Sequence, residues 1–180
     1  VRKADPSPDP DHIRQAGVLI ILYEKSPGGF HLVFIRRTSA HEQDKHAGQI
    51  GFPGGKQEPF DRDLMFTAMR EAEEEIGIDL TQIDVLGPLT PLYITVSKYM
   101  VNPFVAYSWK PLQFSRQESE IEEILEIPLS EFRSSSVKQE TQIRIASGIL
   151  LNHVPCFQIG NHIIWGATAM ILNELLEILA

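Results

Sequence analysis

Gly17 to Tyr23 is a continuous apolar run between polar flanks, a pattern that predicts a buried strand. Ser26-Pro27-Gly28-Gly29 marks a turn, and Phe30 to Ile35 answers as a second strand. Residues 36–48 are polar and aperiodic and read as a loop, while Gln49 to Phe52 is short and strand-like, with Pro53 holding Phe52 extended. The best helix runs from Asp61 to Ile76, with acidic residues in its first turn and Gly77 as its stop. Ile83 to Leu89, Tyr93 to Val96, Val101 to Ser108 and Ile121 to Ile127 read as strands, and Pro128 to Phe132 as a short helical turn. Two or three further strands lie between Gln142 and Trp165, and Ala167 to Leu179 closes the chain as an amphipathic helix. Strands before, between and after two principal helices predict a layered α/β (α+β) domain.

Length and composition fit that picture. At 180 residues the chain is expected to form an extended, proline-rich N-terminal arm over residues 1–15 and a single domain over 16–180. Hydrophobic content of 43% with 22% charged residues excludes a disordered or fibrous chain. Sixteen basic against 24 acidic residues, a net charge of −8, argues against nucleic acid as the partner but leaves room for a local basic pocket. The lone Cys156 excludes an internal disulfide and a cysteine-rich zinc site; in its apolar strand it reads as a small hydrophobe. No targeting signal or membrane span is visible, so the expectation is a soluble cytoplasmic protein, its oligomeric state unread.

The candidate chemistry lies mid-chain. On a helix advancing about 100° per residue, Glu71, Glu74 and Glu75 share one face, Glu73 points away, and Met65, Ala68, Met69, Ala72 and Ile76 form an adjoining core stripe. The like-charged pairs Glu71–Glu74 and Glu71–Glu75 each cost the helix about 0.2–0.5 kcal/mol unless a cation converts repulsion into coordination. The donors are all oxygen, which favours Mg²⁺ or Mn²⁺ over Zn²⁺. A solvated glutamate-rich face, with Arg70 offsetting Glu74, is the plain alternative for the helix alone. Phe52-Pro53-Gly54-Gly55 changes that balance, because its glycines permit a sharp turn and a bare carbonyl, that of Gly54, in a metal shell.

Together these stretches resemble the box of the Nudix hydrolases: glycine, five residues, Glu, seven residues, then Arg-Glu-apolar-x-Glu-Glu-x-Gly-apolar. Arg70, Glu71, Ala72, Glu74, Glu75, Gly77 and Ile78 match in turn, and Gly55 fits the leading glycine. The early acid departs: Asp61 stands five residues after Gly55 and one residue too far from Arg70, with Glu58 the other candidate. His46-Ala47-Gly48-Gln49-Ile50-Gly51-Phe52-Pro53-Gly54-Gly55, Thr67-Ala68-x-Arg70-Glu71 and Trp165-Gly166-Ala167-Thr168-Ala169 resemble the coenzyme A pyrophosphatase-like branch. The likeness runs from about Ala16 to Ile178. Phe34-Ile35-Arg36-Arg37-Thr38 departs from the branch pattern by two extra residues, and Asp44 stands where a second Arg is expected.

The resemblance implies an α/β/α sandwich, with a mixed sheet between helices and the box as loop–helix–loop. It implies metal-dependent hydrolysis of a nucleoside diphosphate linked to another moiety, most directly coenzyme A cut to 3′,5′-ADP and 4′-phosphopantetheine. An ADP-ribose or dinucleotide pyrophosphatase and a non-catalytic ligand sensor are the alternatives. Glu71 and Glu75 become metal ligands, Glu74 a third ligand or base, and Arg70 a brace for the glutamates. Glu120, with Glu118 next, becomes a late acid ahead of the strand from Ile121. Arg36, Arg37 and Lys56 are candidate phosphate holders, and His41 and His46 lie near the expected site as structural residues. Trp165 and Phe104 are expected to pack in the core rather than stack on a base.

Overall fold

The computed structural model describes residues 13–25, 29–38, 48–145 and 148–180. Residues 1–12 of the expected arm, Ser26 to Gly28 of the first turn and the loop carrying His41, Asp44 and His46 therefore lie outside the described residues, while Arg14 and Gln15, expected in the arm, belong to the first strand through pairing with Tyr99 and Met100. Eight strands build the main sheet: β1 (Arg14–Glu24), β2 (Phe30–Arg37), β3 (Ile50–Gly51), β4 (Gly54–Lys56), β5 (Asp84–Pro88), β6 (Leu92–Ile94), β7 (Tyr99–Ser108) and β8 (Ile121–Pro128). Its spine is β3-β2-β1-β7-β5, with β4 also paired to β1, β6 to β7 and β8 to β2. Among the described residues only β1 and β7 run parallel, so the sheet is mixed. A second antiparallel sheet, in the order β11-β10-β9, contains β9 (Lys138–Arg144), β10 (Leu150–Ile159) and β11 (His162–Trp165).

The unbroken apolar run of β1 follows from burial on both faces. Leu19, Ile21 and Tyr23 point into the core under helix α1 (Leu64–Ile76), while Ile20 points into the core beneath helix α2 (Gly166–Ile178). Ala68, Ala72 and Ile76 seat α1 on the first core; Ala169, Leu172 and Leu175 seat α2 on the second. The result is the expected α/β/α sandwich. Phe104 packs on the α1 side, and Cys156 is a buried free thiol. No helix among the described residues is long and apolar enough to cross a membrane.

Two further local expectations need correction. Helix α1 starts at Leu64, not Asp61, and has no acidic residue in its first turn. Asp63 stops it as N-cap, its side chain accepting from the Phe66 N–H at 2.7 Å, which leaves Asp61 outside the helix and free to turn inward. Gly77 ends the helix as expected, in the left-handed conformation at φ 61°, its N–H donating to the Glu73 carbonyl. The second correction concerns Arg36 and Arg37, which belong to β2 rather than to a loop. Pairing of Arg36 with Glu123 and of Arg37 with Ile121 carries the strand on.

Candidate active site

The C-terminal half of α1, the short strand β4, the end of β2 and the segment leading into β8 meet at one end of the main sheet. Glu75 is the deepest of the box glutamates, its side chain only 3% exposed. It accepts from the Gly54 N–H at 2.8 Å and from Arg37 Nη1 at 3.0 Å. Burial pushes its carboxyl up to about 7, against the pull of that amide and guanidinium; Glu71 and Glu120 push it the same way. Glu71 is partly buried and 3.0 Å from Arg70 Nη2. Burial raises its carboxyl too, Arg70 opposes, and the charges of Glu74 and Glu120 add to the rise. Glu74 lies outside this buried pair, 59% exposed and held by Arg70 Nη1 at 2.9 Å.

Backbone packing brings the glutamates to β4. Gly54 has a φ of 151°, and a Cβ there would meet the Gly17 carbonyl oxygen at 2.4 Å and Val18 Cα at 2.6 Å. A Cβ on Gly55 would instead meet the Glu71 carboxylate, with Cδ at 2.4 Å. Gly54 thus lets β4 press on β1, and Gly55 lets it press directly on Glu71. Gly54 meets Glu75 through its N–H, a contact that sequence reasoning about its carbonyl did not foresee.

Arg70 spends its donors on the protein. Its Nε and Nη2 grip the two oxygens of Asp61 at 2.9 and 3.0 Å, and further bonds reach Glu71, Glu74 and the Lys56 carbonyl. Asp61 is buried, accepts also from Thr67 Oγ1 and the Glu58 N–H at 2.9 Å each, and is held well below the usual carboxylate range by Arg70. Glu58 lies at the surface against Lys56, at 3.4 Å. Of the two early acids considered, Asp61 is the one at Arg70.

The segment ahead of β8 is docked on the end of α1. The Ser115 and Gln117 N–H groups donate to the Ile76 and Glu75 carbonyls at 2.8 and 2.9 Å, using two orphan acceptors of the helix end. Gln117 in turn holds the Glu120 N–H, and the Glu120 carbonyl accepts from the Thr38 N–H at 2.8 Å. Glu120 is thereby close enough for its charge to act on both Glu71 and Glu75. Glu118 is 82% exposed and turned to Arg116 at 3.9 Å. Gln117, unmarked by any motif, is the anchoring residue that sequence reasoning missed.

Arg36 and Arg37 face opposite sides of the sheet. Arg37 joins the glutamates; Arg36 reaches Glu123 at 3.1 Å and His162 Nδ1 at 2.8 Å. Lys56 stands 55% exposed at the rim. Among the described residues no three His, Cys, Asp or Glu side chains converge into a finished cation cage, because Glu75 is turned to Gly54 and Arg37, and Glu71 to Arg70. The donor chemistry still fits a hard divalent ion: clustered carboxylates, two of them desolvated, with no thiol or imidazole completing a cluster among the described residues.

Residues 13–145, most of the chain, match the NUDIX domain. An uncharacterized Nudix hydrolase NudL of Photorhabdus laumondii is 34% identical over 168 residues, covering 93% of this chain and 86% of that protein. The protein of the same description in Yersinia pestis (strain Pestoides F) is 39% identical over 166 residues, covering 91% and 79%. Among solved structures, a C. elegans Ap4A hydrolase superposes with a TM-score of 0.58 at 16% identity, over 93% of this chain and 99% of that one. The NUDIX domain of Shewanella oneidensis NrtR complexed with ADP ribose gives 0.53 at 15% identity, over 69% and 80%. With its box glutamates gathered at β4 and its sequence matched along most of its length, the chain belongs to the Nudix hydrolases, pyrophosphohydrolases of nucleoside-diphosphate derivatives that generally use divalent metal ions.

Proposed function

We propose that the protein hydrolyses the pyrophosphate of coenzyme A or its derivatives, with Mg²⁺ or Mn²⁺ bound by Glu71 and Glu75. The observation that carries the catalytic part is the packing of Glu75 on the Gly54 N–H and of Glu71 on Gly55, with the segment that carries Glu120 docked on the same end of α1. A bound cation supplies charge neutralisation at the phosphate oxygens and lowers the pKa of a water molecule. Arg37 holds Glu75 in place from one side and the Gly54 amide from the other. Arg70, its donors engaged, sets the rotamers of Glu71 and Glu74 and touches no substrate. Glu120, on its docked segment, is the acceptor for the proton of the attacking water; Glu74, tied to Arg70 at the surface, serves as an outer ligand or reserve base. Attack of water on phosphorus breaks the bridging P–O bond and leaves two phosphomonoesters. Lys56 and Arg37 line the approach for an anionic substrate, and Arg36, on the opposite face, takes no part.

Coenzyme A as substrate rests on the approach to the box and on the Trp165-Gly166-Ala167-Thr168-Ala169 element. A second reading, ADP-ribose or a dinucleotide polyphosphate, is favoured by the ADP ribose bound to the structurally similar NrtR domain and by Asp44, an anion where the coenzyme A branch carries a cation. Incubation with Mg²⁺ and coenzyme A, acyl-coenzyme A, ADP-ribose, NADH or diadenosine polyphosphates, with products identified by mass, separates the readings. The expected products are 3′,5′-ADP and 4′-phosphopantetheine, and EDTA is expected to abolish them. Faster cleavage of ADP-ribose transfers the assignment to the second reading. Binding of one compound without turnover, or full turnover in EDTA, refutes the proposal.

A further inference from the structure

The small sheet ends in an edge with a readable pattern. Strand β9 is its outer strand, and among the described residues no other strand lies along that side. The hairpin it forms with β10 reaches beyond the core: Ile149, Leu150 and Leu151 are exposed large hydrophobics. Exposed edges are a standing invitation to pair with another chain, and proteins usually guard them with like charges, prolines or short length. Strand β9 is seven residues long, contains no proline and carries charges of both signs.

The ladder fixes which backbone groups face outward. Ile145 donates its N–H to the Ile149 carbonyl, so Ile145 is bonded inward to the hairpin. Pro155, which has no N–H, stands opposite Glu140, as fits a pair whose polar groups point away from each other. The two observations flank a register shift in which Asn152 and His153 of β10 stand opposite Gln142 alone. The extra residue is in β10, so β9 keeps its alternation and both give the same parity: Thr141 and Ile143 bond inward, while Glu140, Gln142 and Arg144 offer their N–H and C=O groups to the outside. The side chains of those three share one face of the strand.

We infer that the outer edge of β9 pairs antiparallel with β9 of a second copy of this chain, about a two-fold axis through Gln142. In that register Gln142 faces Gln142 of the second copy, and Glu140, which meets the exposed His153 within the hairpin, faces Arg144, which donates to the Gly148 carbonyl, twice over, each in a hydrogen-bonded pair with Cα atoms about 5.5 Å apart. Centring the axis on Thr141 would oppose Lys138 to Arg144, and centring it on Glu140 would oppose two carboxylates. Centring it on Gln139 would also oppose opposite charges, Lys138 to Glu140, but would keep only three residues of each strand in register against five, so charge and overlap together select the axis at Gln142. The opposite signs that suit it are not the like-charge guard of a protected edge. Joining the edges makes a six-stranded sheet from two three-stranded ones and extends the apolar row of Ile143, Leu151 and Val154 across the axis, an isologous contact that closes at two copies.

The test is the oligomeric state of the full chain, measured by sedimentation and light scattering from low to high micromolar concentration. Wild type is expected at twice the chain mass, dissociating on dilution. Arg144→Glu should raise the dimer dissociation constant by about tenfold by turning two attractions into repulsions. Gln142→Pro should abolish the dimer, because it deletes two bonds across the axis and none within the hairpin. The double exchange Glu140→Arg with Arg144→Glu should restore it. Circular dichroism melts establish that each variant folds. A monomer at every concentration, a dimer indifferent to Arg144→Glu and Gln142→Pro, or a double exchange that fails to restore pairing overturns the inference.

Discussion

Replacing Gly55 by alanine tests the proposed role of Glu71 with a single methyl group. The added Cβ would stand 2.4 Å from Glu71 Cδ and 2.5 and 2.6 Å from its two oxygens. Ordinary carbon–carbon contact is about 3.5–4.0 Å, so the carboxylate must retreat by about 1 Å or more. The obstacle is the far end of a flexible side chain. The structural cost is therefore one strained rotamer, about 0.5–1.5 kcal/mol, set against about 0.4–1 kcal/mol gained from a less flexible unfolded chain. The melting temperature should hardly move. Displacement of a reacting-site group by about 1 Å should nevertheless lower kcat by about 100-fold. Gly54→Ala is the contrasting control: its Cβ strikes the Gly17 carbonyl and Val18 Cα at a φ of 151°, so it should destabilise the fold before it affects chemistry. Thermal melts and Mg²⁺-dependent product release, measured on both variants, separate the two effects. A Gly55→Ala protein with wild-type kcat would refute the assignment of Glu71 as a ligand whose position matters.

Three further outcomes follow from the same geometry. Asp61→Asn removes the buried carboxylate that takes two nitrogens of Arg70, leaving it Glu71 and Glu74, and should cost about 1.5–3 kcal/mol in urea unfolding. Because the folded Asp61 carboxyl lies below its ordinary value, its contribution is full above about pH 4 and fades as pH falls, so wild type should lose its margin over Asp61→Asn under acid. Glu120→Gln should lower kcat with KM little changed, whereas Glu118→Gln, far out in solvent, should behave as wild type; the opposite result moves the base to Glu118. Cys156, buried and with its thiol pushed up by burial, should react with a disulfide reagent only at the rate of unfolding, and rapid labelling in the native state would contradict its packing.

The features legible in the sequence are those whose cause is local. Helix α1, its stop at Gly77 and the shared face of Glu71 and Glu75 follow from periodicity and one left-handed residue. The double burial of β1 follows from an apolar run too long for a one-sided strand. The misplaced features depend on partners distant in the chain. Asp61 and Asp63 are both good cap residues, and the choice between them is made by Arg70 and Thr67, which draw Asp61 inward. Arg36 and Arg37 look like loop residues until β8, more than 80 residues later, pairs with them. Once they lie in a strand, alternation sends one to Glu75 and the other to His162. Glu118 and Glu120 are equivalent as letters; backbone bonds from Ser115 and Gln117 to the end of α1 distinguish them.

The same bonds explain why the acidic site sits where it does. A carboxylate buried as deeply as Glu75 is costly to charge, and its carboxyl at about 7 records that cost. One amide and one guanidinium offset only part of it, since Glu71 and Glu120 add repulsion from the same side. A proton relieves one such group at a time, whereas a divalent ion can neutralise two at once without donating a hydrogen bond into a crowded space. Arg70 fills that role only in part, because Nη2, its contact to Glu71, is shared with Asp61, and Nη1 goes to Glu74. Asp61 thus does more than stabilise α1: by taking both Nε and Nη2 of Arg70 it leaves Glu71 a shared guanidinium, while Glu75 has Arg37, so the proposed cation would meet carboxylates that are only partly neutralised.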